Sequence, residues 1–235
     1  NMHTVDQALP RARAVAIKDG RILFVGDDAG AQALSDNTTE VIDAKGNMVL
    51  PGFQDTHIHI HDTGADFSQS ADLYDCKTVE DIQNILREFA SLHPDRPVIR
   101  GLGFDSAEFS ADVINKHSID DVISDRPVFL LANDYHNSVL NSAACKMAGI
   151  SSGTPDPSNG HIVLDNAGMP TGYLYEDASW WALAKLPGYS DEDVTNGILF
   201  GASHANQHGI TGVLDAMISR RHLRLSKELE DQGRL

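Results

Sequence analysis

Apolar and polar positions follow two different rhythms along this chain, with a break at Pro51-Gly52. Before the break the apolar runs are short. Ala14-Val15-Ala16-Ile17 and Ile22-Leu23-Phe24-Val25 flank Lys18-Asp19-Gly20-Arg21, and Asp-Gly between two apolar runs predicts a hairpin. Val41-Ile42-Asp43 and Met48-Val49-Leu50 flank a second turn at Gly46-Asn47. Residues 1–50 are therefore expected to form part of a small β-sandwich. After the break, strand and helix patterns alternate. Thr78–Leu92 carries a capping-box signal, Thr78 with Asp81, and an apolar stripe of Val79, Ile82, Leu86 and Phe89. Strands are predicted at Pro97–Phe104, Pro127–Ala132 and Ile210–Asp215. Short helical pieces are predicted over 111–124 and a helix over Ser142–Ala148, ended by Gly149. Gly160–Glu176 reads as a hairpin turning at Asn166-Ala167-Gly168. Further helices run from Ser190 to Gly209 and from Leu223 to Gln232. Such alternation implies an α/β fold with a parallel sheet, and both a closed barrel and an open doubly wound sheet satisfy it.

Composition narrows the function classes. Hydrophobic residues make up 41% and charged residues 22%, ordinary values for a packed domain. The 34 acidic against 18 basic residues give a net charge of −16, which repels phosphate backbones and argues against nucleic-acid and anionic-membrane partners. The two cysteines, Cys76 and Cys145, lie far apart without metal-binding spacing and read as buried thiols. No apolar run reaches the roughly 18 residues of a membrane span, and the N-terminus lacks the apolar stretch of a signal peptide. The expected location is cytoplasmic, unless a leader has been lost.

Candidate chemistry is concentrated in Gln54-Asp55-Thr56-His57-Ile58-His59-Ile60-His61. If this stretch is a strand, His57, His59 and His61 share one face. Two neutral imidazoles so placed can bind one metal ion, and His61 falls at the strand's end rather than among the ligands. Asp105 and His136 each follow a predicted strand, the position from which barrel loops reach a substrate. Asp215 ends a strand too, where it can orient a ligand histidine or cap a helix. His204 and His208 have helical metal-binding spacing, but Ala205 stands where a metalloprotease would place its glutamate, so they read as surface or packing residues. No Gly-rich phosphate loop and no Gly-x-Ser-x-Gly elbow is present.

The segment Val49-Leu50-Pro51-Gly52-Phe53, followed by Asp55-Thr56-His57-Ile58-His59, resembles the first barrel strand of the amidohydrolase superfamily. Gly101-Leu102-Gly103-Phe104-Asp105, Asp134-Tyr135-His136 with Asn141-Ser142, Gly172-Tyr173-Leu174-Tyr175-Glu176 and Gly209-Ile210-Thr211 are similar to one branch, amidohydrolase family 3. The resemblance implies a partial (β/α)8 TIM-type barrel over 51–235 preceded by the partial sandwich of 1–50. It implies hydrolysis of a non-peptide amide-like C–N bond by a metal-activated water. His57, His59 and Glu176 become the expected metal ligands, for one or two divalent ions, zinc by preference. His136 and Asp105 become substrate contacts. The family completes its site with two histidines and an aspartate from later strands, so the general base is not assigned within this chain.

After fifty residues of sandwich, too few remain for a barrel of about 250 residues. A half-barrel would expose a large apolar face and open sheet edges. The expectation is therefore a homo-oligomer, or a partner supplying the rest of the barrel, acting on a small-molecule substrate. The chain alone is expected to be inactive. The alternative is a non-catalytic fragment or interaction domain that keeps the amidohydrolase fold.

Overall fold

A computed structural model describes residues 1–235. In chain order the elements are β1 (Met2–His3), β2 (Arg11–Ala12), β3 (Ala14–Lys18), β4 (Arg21–Gly26), α1 (Asp28–Gln32), β5 (Phe53–Ile58), α2 (Ile60–Gln69), β6 (Ala71–Asp72), α3 (Val79–Leu92), β7 (Ile99–Phe104), α4 (Lys116–Asp120), β8 (Val128–Ala132), β9 (Asn137–Leu140), α5 (Ser142–Ala148), β10 (Gly160–Leu164), β11 (Pro170–Glu176), α6 (Asp177–Leu183), α7 (Asp191–Gln207), β12 (Ile210–Asp215) and α8 (Arg220–Asp231). Two compact units result, one of residues 1–57 with 205–214 and one of residues 58–204 with 215–235.

In the first unit, β3 and β4 form the antiparallel hairpin that Asp19-Gly20 predicts, with φ of 51° and 71° at those two residues. Positive φ at both central residues matches the turn to the strands' own twist. The second pair of strands expected before Pro51 does not form. Val41 and Ile42 are each 82% exposed, and only a single bridge, Val49 to Met2, ties 41–50 into a sheet. Apolar runs there lack an opposing apolar face, so the propensity is not realised. Strand β5 pairs with β12, beginning with Phe53 N–H donating to the Gly209 carbonyl.

The second unit is built on a six-stranded sheet in the order β10-β11-β9-β8-β7-β6. Its β6-β7-β8 part is parallel, whereas β8-β9, β9-β11 and β10-β11 are antiparallel. The wholly parallel sheet expected from the strand–helix rhythm is thus corrected to a mixed one. Only residues 133–136 separate β8 from β9, too few for a crossover, which needs about a dozen. The predicted β10–β11 hairpin is present, with Asp165 accepting from the Ala167 and Met169 N–H groups and Gly168 at φ 74°.

Every residue of β8 is buried, which explains its uninterrupted apolar run. Val128, Leu130 and Ala132 pack with Ile82 and Leu86 of α3 and Ile119 of α4. Phe129 and Leu131 point the other way, into a cluster with Ala144 of α5 and Ala178 of α6. Between strand and helix sits Asn141, fully buried and fully used. Its Oδ1 accepts from the N–H groups of Val128 and Ala144, and its Nδ2 donates to the carbonyls of Ile123 and Arg126, all at 2.9 Å.

Helix α3 starts as the sequence predicts. Thr78 accepts from Asp81 N–H at 3.1 Å, and Asp81 accepts from Thr78 N–H at 2.8 Å. Thr78→Ala removes one half of that exchange and should cost about 1 kcal/mol, read as a lowered urea midpoint at unchanged m-value. Thr78→Ser should behave nearly as wild type.

Candidate functional site

The histidine-rich stretch does not stay extended. Strand β5 ends at Ile58, His59 is the residue that opens α2, and His61 lies in its first turn. The expected run of three histidines alternating along one strand is corrected: only His57 belongs to the strand, and His59 follows it by one residue. His57 N–H donates to Asp55 Oδ1 at 3.0 Å, and the His57 side chain is exposed. The His59 side chain is 40% exposed, and its Nδ1 stands 3.9 Å from Oδ1 of Asp215.

Asp215, at the end of β12, organises this strand end. Only 5% of its side chain is exposed. Its Oδ2 accepts from the His61 backbone N–H at 3.1 Å and meets His61 Nδ1 at 2.7 Å, while its Oδ1 accepts from Met217 N–H at 3.0 Å. Burial acts to raise its carboxyl, but the hydrogen bonds from Met217 and His61 outweigh it and hold Asp215 below the ordinary carboxylate range. The other ring nitrogen of His61 meets Ser226 Oγ of α8 at 3.0 Å. Both nitrogens of His61 are therefore taken, and this imidazole acts as a strut between α2, Asp215 and α8.

A second cluster forms where β8 and β11 end and β9 begins. Glu176 closes β11 with φ 52°, a left-handed conformation costly for a residue with a Cβ. His136 Nδ1 meets its Oε2 at 2.7 Å, and Glu176 N–H donates to the His136 carbonyl at 2.7 Å. The hydrogen bond from the ring to Glu176, and then that group's charge, raise the His136 pKa. Asp134 holds this turn by accepting from the N–H groups of His136 and Asn137 and from Ser106 Oγ. Asp105 sits one residue away from Ser106 but spends its carboxylate locally, accepting from Ala107 N–H at 3.0 Å.

The structure thus brings together Glu176 and His136 and leaves Asp105 beside them without contact. It does not gather His57, His59 and Glu176: among the described residues no three His, Cys, Asp or Glu side chains converge on one point. In donor type they nevertheless suit a divalent metal, two neutral imidazoles and a carboxylate. His204 lies in α7 and His208 just beyond its end, so their four-residue spacing does not sit on one helix.

A third polar cluster has no signature in the sequence. Asp66, on α2, accepts from Tyr189 Oη at 3.0 Å, and Ser70 Oγ lies 3.3 Å from the same hydroxyl. The buried Arg100 covers the Tyr189 ring at 4.6 Å and donates to the Pro187 carbonyl at 2.8 Å. Burial pushes the Asp66 carboxyl up to about 6, against the opposing effects of the Tyr189 bond and the Arg100 charge.

The model of the amidohydrolase family matches residues 40–235. Over the whole chain the sequence is 29% identical to an N-substituted formamide deformylase of Arthrobacter pascens, 44% of whose length it covers. It is 32% identical to the putative amidohydrolase YtcJ of Bacillus subtilis (strain 168) over 90% of this chain and 40% of that one. The chain therefore spans less than half the length of these curated relatives. Among solved structures, an uncharacterized metal-dependent hydrolase from Pyrococcus furiosus superposes with a TM-score of 0.71 at 25% identity, covering 94% of this chain and 44% of that one. With the strand-end histidines, the mixed sheet and a family match over most of its length, the chain belongs to the amidohydrolase family, in the family 3 branch.

Proposed function

We propose that the protein carrying this chain is a metal-dependent hydrolase of non-peptide C–N bonds, such as amides and N-acyl groups. The observation that carries the reading is the His57-Ile58-His59 pair at the end of β5, with the Asp215 carboxylate beside His59. His57 and His59 would hold the metal, with Glu176 as a further ligand, and residues 51–235 would contribute part of a (β/α)8 barrel whose active face lies at the C-terminal ends of its strands. A divalent ion, zinc by preference, lowers the pKa of a bound water to about 7 and polarises the scissile carbonyl. His136 gives its Nδ1–H to Glu176, which favours a second proton at Nε2, and that proton would suit it to a developing oxyanion or a leaving amine. Asp105, at the end of β7, is placed to contact substrate. The name of the Arthrobacter relative, a deformylase of N-substituted formamides, supports an acyl–nitrogen bond as the target.

That no three His, Cys, Asp or Glu side chains converge on one point favours one second reading, an interaction domain that keeps the fold without the chemistry. Metal dependence decides between them. On a panel of N-formyl amines, N-acyl amino acids and cyclic amides, the whole protein should hydrolyse at least one member, lose that activity on chelation and regain it with zinc. Turnover that survives complete metal removal would overturn the mechanism.

A further inference from the structure

We infer that Asp215 is the positioning residue for His59, taking the Nδ1–H of that imidazole on Oδ1 and leaving Nε2 as the atom that His59 offers to a metal. The inference rests on the proposed metal site and adds to it the tautomer and the residue that sets it. Asp215 is already immobilised. Its Oδ2 is occupied by the backbone and ring of His61, and its Oδ1 is held in place by Met217 N–H at 3.0 Å. A carboxylate oxygen has two lone pairs, so Oδ1 keeps one acceptor site, and the polar ring atom facing it is His59 Nδ1, at 3.9 Å. That separation exceeds a hydrogen bond, so the inferred bond requires the ring to turn its Nδ1 toward Oδ1. The nitrogen a histidine gives to a metal is set by the bond the other nitrogen makes, and a carboxylate behind a ligand histidine also raises its basicity. His61 competes for neither role, because Asp215 and Ser226 occupy both of its nitrogens.

The test uses the whole protein with 15N-labelled histidine, before and after zinc. In the metal-free wild type, His59, assigned by comparison with His59→Gln, should be the Nδ1–H tautomer. Asp215→Asn should mix the tautomers and weaken zinc binding by about 10–100-fold. Ser226→Ala, which touches only the far side of His61, should leave the His59 tautomer unchanged. An Nε2–H tautomer in the wild type overturns the inference without recourse to any variant, so a poorly folded Asp215→Asn does not shelter it. Unchanged zinc affinity in a folded Asp215→Asn also overturns it, and would mean that Asp215 serves His61 alone. A wild type that fails to bind zinc sinks the metal-site reading instead, while the tautomer still judges whether Asp215 positions His59.

Discussion

His57→Ala and His59→Ala should each strip the protein of its metal and of its activity together, while the far-ultraviolet circular dichroism stays near wild type. The exposure of the two side chains makes this a clean experiment. His57 is exposed on β5, and 40% of the His59 side chain is exposed. Neither ring belongs to a buried apolar cluster, so truncation should leave the packing of the core intact. A metal site is less forgiving. Altering a residue behind a ligand costs about 10–100-fold in affinity, and removing a ligand itself should cost at least the upper end of that range. Zinc content after dialysis and turnover at saturating substrate give the two readings. His161, an exposed histidine paired with Asp156 at 2.7 Å, is the comparison, and His161→Ala should change neither. Normal metal content with normal turnover in either strand-end variant would return the pair to a merely structural role.

The sequence is legible where one element's own pattern decides its fate. The capping box and stripe of α3, the glycine that ends α5 and the doubly buried β8 are all readable because short-range chemistry and burial agree. Helix α2 is not readable. Its sequence, Ile-His-Asp-Thr-Gly-Ala-Asp-Phe-Ser-Gln, shows no broad apolar stripe, and the histidines before it mimic a strand. What stabilises α2 is close approach to α7. A Cβ at Gly64 would collide with the Gly197 carbonyl oxygen, and one at Gly201 with the side chain of Ile60. Glycines in mid-helix count against a helix in isolation, and here tertiary packing overrides that propensity. Strand β9 escapes notice for a different reason: four residues, half of them polar, carry too little pattern.

The site divides in the same way. His57 and His59 are adjacent enough for spacing to flag them, and the Glu176 context is readable from the family resemblance. Asp215 and His61 lie 154 residues apart, and nothing local to either announces the pair. Asp215 could be suspected from its strand-end position, but Ser226 sits in mid-helix among charged neighbours and gives no signal. Asp66 is likewise silent, because its perturbation comes chiefly from what folds over it, with Asp62 adding only a minor charge effect.

That perturbation carries a stability effect that depends on pH. The Asp66 carboxyl moves from an ordinary 3.8 to about 6, chiefly because burial disfavours its charged form. A folded-state pKa raised above the unfolded one means that the folded state prefers the proton. The stabilisation is complete below the unfolded value of 3.8 and is lost as pH rises through about 6. Each tenfold change in proton affinity corresponds to about 1.4 kcal/mol, so the rise from 3.8 to about 6 amounts to about 3 kcal/mol by neutral pH. Asp66→Asn keeps an oxygen to accept from Tyr189 and never ionises, so it should escape that loss. Urea unfolding of wild type and variant from pH 4 to pH 7.5 should show near-equal stability at the acid end. The variant should then gain steadily from about pH 4 to about pH 6 and lead by about 3 kcal/mol near neutral pH. Taking the difference at each pH cancels the opposite trend from carboxyls held low, such as Asp134, Asp191 and Asp215, which destabilise both proteins alike as pH falls. A difference that stays flat across the range would mean that Asp66 remains charged throughout, its burial offset by Arg100 and Tyr189.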